Sequence, residues 1–109
     1  MSSHLFLDRE GKLIQFVDLN KKAWHAGVSE FEGLKECNDF SIGIELEGTD
    51  TEPYSDKQYL SLINITNCLM ENYPGISTER IVGHSDIAPT RKTDPGESFD
   101  WSRYKNSLD

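Results

Sequence analysis

The sequence has no long apolar run, no excess of basic residues, and only two cysteines in 109 residues. The first absence excludes a transmembrane helix, which needs about 20 consecutive apolar residues. The second argues against a nucleic-acid partner. Eleven Lys and Arg against 19 Asp and Glu leave a formal net charge of −8, where a phosphate-binding surface needs a basic footprint. The third bears on redox chemistry: Cys37 and Cys68 form no CxxC pair and lie far apart. Two buried thiols in a reducing compartment are expected, with a disulfide as the lesser reading. The opening MSSHLFLDREG also lacks a basic segment followed by a long apolar stretch, so no secretory signal and a cytoplasmic location are expected.

What is present is an ordinary globular composition, 36% hydrophobic and 28% charged, at a length that supports one domain over residues 1–109. His4 to Leu7 and Leu13 to Val17 are short β-rich runs around a Gly-containing turn, which predicts a hairpin. Leu19 to Glu36, with Trp24-His25-Ala26-Gly27 inside it, reads as a long loop of functional character with one helical turn at Lys21–Trp24. In FSIGIELE, Phe40, Ile42, Ile44 and Leu46 alternate with Ser41, Gly43, Glu45 and Glu47, which predicts a strand. A helix follows. Ser55 and Gln58 have capping-box spacing; Tyr59, Leu62, Ile63, Leu69, Met70 and Tyr73 form its apolar stripe with Thr66; and Pro74-Gly75 stops it. Arg80-Ile81-Val82 reads as a short strand and Phe99 to Tyr104 as a terminal helix. The order β-β-loop-β-α-β-loop-α is that of a mixed α/β domain, a β-sheet with flanking helices.

Chemistry concentrates on VGHSDIAPTRKTDPG. His84 and Asp94 carry an imidazole and a carboxylate, both good zinc ligands, on one loop stiffened by Pro89 and Pro95. A strand-capping histidine and an Asx-turn before Pro95 account equally simply for the spacing, and spacing alone favours that plainer account. Lys92 shares an extended-chain face with Asp94, where a cation can stabilise an oxyanion; taken alone, a solvated loop lysine is its simpler reading. Glu45 and Glu47 share the polar face of the strand, about 7 Å apart. Glu45 suits a general base beside a metal, and an edge strand with a solvated face is an equal reading of the same residues. A paired-carboxylate glycosidase is the competing chemistry, but it gives His84, Lys92 and Asp94 no role. For His4 and His25, a hydrogen-bonded structural histidine is the simpler reading of each.

Taken together, SSHLFLDREGKLIQFV, AWHAG, CNDFSIGIELEGTD and GHSDIAPTRKTDPGESFDW resemble the zinc-dependent N-acetylmuramoyl-L-alanine amidases of the AmpD type, in the amidase-2 and peptidoglycan-recognition superfamily. The likeness runs from Ser3 to about Leu108, and NDFSIGIELEGTD with IAPTRKTDPG is its most specific part. The resemblance implies a Zn(2+) cofactor and hydrolysis of the amide between (1,6-anhydro-)N-acetylmuramic acid and L-alanine. It also implies a muropeptide partner and cytoplasmic cell-wall recycling. By position, His84 and Asp94 match two of the family's three zinc ligands. Glu45 matches the carboxylate that activates water, Lys92 the cation beside the tetrahedral intermediate, and Ala88 and Arg91 the substrate rim. The family's first zinc ligand, a histidine in a VHN- or VHH-like motif upstream of the SxH hairpin, has no counterpart in this sequence. A domain partial relative to the family is therefore expected, with a weaker zinc site and an uncovered sheet edge that favours homo-oligomers. A non-catalytic muropeptide-binding or regulatory remnant is the alternative reading.

Overall fold

The computed structural model describes residues 3–19, 41–48, 52–88 and 94–108, together with the backbone of 30–31 and 34–35. Strand β1 (Leu5–Leu7) pairs antiparallel with β2 (Leu13–Gln15), Phe6 opposite Ile14. The turn between them is built by Asp8, whose Oδ1 accepts the amides of Glu10 and Lys12 at 3.0 and 2.8 Å. Gly11 completes it at φ +80, and a Cβ there would stand 2.8 Å from the carbonyl oxygen of Lys57. The expected hairpin is present.

A separate two-stranded ribbon joins β3 (Glu30–Phe31) to β4 (Leu34–Lys35), within a segment read from sequence as loop. The expected helical turn at 21–24 lies outside the described residues. β5 (Ile44–Leu46) runs parallel to β1, with Glu45 opposite Phe6, giving a mixed sheet in the order β2-β1-β5. The observed strand is shorter than the FSIGIELE alternation predicts. Gly43 uses its carbonyl to accept the amides of His4 and Leu5, while residues 41–43 carry no ladder.

Helix α1 (Asp56–Asn72) covers the Leu5–Leu7 face of the sheet. Its capping box is formed as the sequence predicts: the Ser55 hydroxyl accepts the Gln58 amide at 3.1 Å, and Gln58 Oε1 accepts the Ser55 amide at 2.9 Å. Gln58 is only 1% exposed, because the same side chain donates from Nε2 to the Glu47 carbonyl at 2.9 Å. It therefore starts the helix and ties it to the end of β5.

The core brings together Leu7, Tyr59, Leu62, Phe99 and Tyr104, with Ile44, Leu46, Ile63 and Ile81 packed around them. Tyr59 stacks on Phe99 at 5.4 Å between centroids, and the Tyr104 hydroxyl meets Thr66 Oγ1 at 2.6 Å. Each large side chain buried here contributes roughly 1.5–3 kcal/mol by area.

Three expectations change. Arg80–Val82 is not a strand: Thr78–Arg80 is a 3-10 turn closed by the Ile81 amide on the Thr78 carbonyl, and Ile81 continues extended with no ladder. Cys68 is a free thiol on the exposed side of α1 rather than buried; Cys37 lies outside the described residues. The terminal helix α3 (Trp101–Asn106) starts after Phe99, because Asp100 caps it by accepting the Arg103 amide at 3.0 Å. Among the described residues, no helix is long and apolar enough to cross a membrane.

Candidate functional site

His84 opens a single helical turn, α2 (His84–Ile87), inside the loop that sequence alone left irregular. The turn is held at its start by Asp86, whose Oδ2 accepts the Gly83 amide at 2.8 Å. It is held at its end by the Ala88 amide on the His84 carbonyl at 3.0 Å. Ala88 itself is buried. The turn is fastened to the other half of the loop where the Ser85 amide donates to the Asp94 carbonyl at 3.0 Å.

That backbone bond brings the two side chains together. His84 Nδ1 lies 3.3 Å from Asp94 Oδ2, with the imidazole 11% and the carboxylate 57% exposed. A charge-assisted N–H···O bond is normally shorter, about 2.7–2.9 Å. Two donors each about 2.0–2.2 Å from one tetrahedral ion stand about 3.3–3.6 Å apart. The pair thus has the donor chemistry and the spacing of one edge of a tetrahedral metal site, open to solvent on the Asp94 side. Among the described residues, no group of three or more His, Cys, Asp or Glu side chains gathers to complete it.

Glu45 is exposed on β5, on the side of the sheet away from Leu7 and α1, and it is not a member of this pair. Glu47 has a structural task. Its Oε1 accepts the Arg9 amide at 2.9 Å, and its own amide donates to the Leu7 carbonyl at 2.8 Å. That engagement removes support from a Glu45–Glu47 carboxylate dyad. His4 is a buried structural histidine, 1% exposed, whose Nδ1 accepts the Gly43 amide at 3.0 Å. Arg91, Lys92 and His25 lie outside the described residues.

Sequence reasoning passed over the groups that shape the pair. Gly83 is one: a Cβ there would come within 2.7 Å of Pro95 Cδ. Asp86 is another, and its signal was available, since an acid three residues after a glycine is the spacing of a helix start.

This small mixed sheet with its covering helix belongs to the class of N-acetylmuramoyl-L-alanine amidases, as comparison with known proteins shows. The amidase-2 family model of that description matches residues 1–97, and the chain belongs to this family. Relatives of the AmpD type are among those it resembles. The chain is 54% identical over 108 residues to the 1,6-anhydro-N-acetylmuramyl-L-alanine amidase AmpD of Haemophilus influenzae, covering 99% of this chain and 59% of that protein. It is 57% identical over 108 residues to AmpD of Enterobacter cloacae, covering 99% and 57% respectively. A crystal structure of a selenomethionyl AmpD derivative superposes with a TM-score of 0.95 at 53% identity, over 99% of this chain and 60% of that one. The amidase AmiD of Escherichia coli, in complex with the substrate anhydro-N-acetylmuramic acid-L-Ala-D-gamma-Glu-L-Lys, superposes with a TM-score of 0.92 at 34% identity, over 97% and 47%. The chain therefore spans somewhat under 60% of the length of the AmpD relatives it matches.

Proposed function

We propose that this chain carries the zinc-binding half of an amidase that hydrolyses the amide between (1,6-anhydro-)N-acetylmuramic acid and L-alanine in muropeptides, in cell-wall recycling. The observation that carries the reading is the 3.3 Å approach of His84 Nδ1 to Asp94 Oδ2, which fits one edge of a tetrahedral zinc site. Similarity to AmpD proteins, and to an AmiD structure bound to an anhydromuramyl peptide, supports the substrate class. The AmpD likeness also supports a cytoplasmic site of action.

His84 and Asp94 would hold the zinc. Lewis-acid polarisation of the lactyl carbonyl is what that ion supplies when bound. Glu45 takes a proton from the attacking water and returns it to the leaving amine of L-alanine. Lys92 offers its ammonium to the developing oxyanion, and Ala88 and Arg91 form part of the muropeptide rim. The Asp94 carboxylate is open to water while its carbonyl is held by the Ser85 amide, which supports the pair as an ion site.

The test is zinc titration of the chain by calorimetry, alongside hydrolysis of anhydro-muramyl-tripeptide with added zinc. Zinc binding that is lost in both His84→Ala and Asp94→Ala, together with release of the tripeptide, supports the reading. Muropeptide binding with neither zinc uptake nor hydrolysis supports instead a non-catalytic binding remnant. Zinc binding indifferent to both substitutions overturns the assignment of the pair.

A further inference from the structure

Asp94 is more than half exposed, so packing of its own side chain does not aim its carboxylate. What aims it is the backbone on either side of its carbonyl. The Asp94 carbonyl accepts the Ser85 amide at 3.0 Å, and the next carbonyl, that of Pro95, accepts the Tyr54 hydroxyl at 2.8 Å. Two successive carbonyls are thus pinned from two different parts of the fold, the turn that bears His84 and the lead-in to α1.

The Tyr54 side rests on a fixed base. The Arg9 guanidinium donates from Nη1 to the Pro53 carbonyl at 3.1 Å and from Nη2 to Glu52 at 2.9 Å. Ser55, on the other side, caps α1 and donates from its hydroxyl to the Arg9 carbonyl at 2.6 Å. The Tyr54 ring packs edge-on against Phe99 at 5.7 Å between centroids. Removing only the hydroxyl leaves that ring contact in place.

We infer that Tyr54 is a positioning residue for the metal pair: its hydroxyl, through the Pro95 carbonyl, holds the Asp94 backbone where the carboxylate meets His84. The inference rests on the reading of His84 and Asp94 as a metal pair. It adds a group that touches neither metal nor substrate. Outer contacts of this kind typically change metal affinity by about 10- to 100-fold when removed, because the ligand must be re-aimed each time the ion binds.

Two measurements on Tyr54→Phe test it. The first needs no metal. Amide hydrogen exchange at Ser85, whose N–H reaches the Asp94 carbonyl, is expected to quicken about tenfold, while the buried α1 amides of Leu62 and Thr66 keep their parental rates. An unchanged Ser85 rate overturns the inference. So does equal quickening at Leu62 and Thr66, which would mean general loosening of the fold. The second is zinc titration, where about tenfold weaker binding than in the parent is expected and equal affinity overturns the inference. Parental zinc binding that ignores His84→Ala would defeat the metal-pair reading itself, and the exchange measurement would still decide whether Tyr54 holds the Asp94 segment.

Discussion

Gly83 and Pro95 are so close that a Cβ on Gly83 would stand 2.7 Å from Pro95 Cδ, and 3.2 Å from Cζ2 of Trp101. The residue before one candidate ligand thus touches the residue after the other, and only the smallest side chain permits it. Gly83→Ala must push the His84 turn away from the Asp94 segment. The expected outcome is a loss of about 1–3 kcal/mol in stability by urea unfolding, as for other overpacked sites. Zinc binding should weaken about tenfold at the same time.

Gln58 has both ends of its amide engaged while almost wholly buried, so truncation strands its partners. Gln58→Ala leaves the Ser55 amide and the Glu47 carbonyl without their side-chain partner. A destabilisation of about 1–3 kcal/mol is expected in chemical denaturation. Gln58→Glu keeps the acceptor toward Ser55 but replaces the donor toward Glu47 with charge, and it should destabilise as well. If Gln58→Ala shifts the midpoint by less than the error of the measurement, the double role of this side chain is refuted.

Burial pushes the Tyr104 phenol above its ordinary value, with the hydrogen bond to Thr66 opposing in part. A group whose folded pKa is raised contributes stability that is complete below its unfolded pKa, about 10 for tyrosine, and is lost as pH climbs through the higher folded value. Stability should accordingly fall above about pH 10. Tyr104→Phe, which cannot ionise, should show a shallower alkaline decline despite a lower plateau near neutrality from the lost hydrogen bond. Parallel slopes in the two proteins would refute the assignment.

Strand β2 is one of the two outer strands of the described three-stranded sheet and is exposed along its length. Leu13 and Ile14 stand out from it, and Phe16 just beyond it is 60% exposed. An apolar edge of this kind pairs readily with another chain. Sedimentation velocity is expected to show concentration-dependent self-association that Ile14→Lys suppresses; a monomer at every concentration would rule this out.

The hairpin and α1 were legible because their signals are local. An Asx-type turn with a glycine, and a capping box followed by an apolar stripe, each specify structure within a few residues. Cys68 is exposed where burial is expected, and the same stripe excludes it from the core. At about 100° per residue it falls about 120° around the helix from Leu62, away from the buried side. Arg80–Val82 read as a strand because isoleucine and valine favour extended backbone, which Ile81 does adopt; nothing in three residues reveals that no ladder forms there. The helical turn at His84 has too few residues to show a period. The buried task of Gln58 depends on β5, which is distant in sequence, and the Tyr54 contact with Pro95 spans 41 positions. In the candidate site, the identities of His84 and Asp94 were legible, whereas the groups that hold them were not. Lys92 and Arg91 lie outside the described residues and remain expectations from resemblance.

The hydrogen bond from the Ser85 amide to the Asp94 carbonyl closes a ring of chain only about ten residues around. Closing so short a loop costs little configurational entropy and takes on the order of 10–100 ns, against microseconds or longer for pairing distant strands. The contact that sets His84 beside Asp94 is thus local in sequence, whereas the parallel contact of β1 with β5 joins Leu5 to Ile44 across most of the first half of the chain.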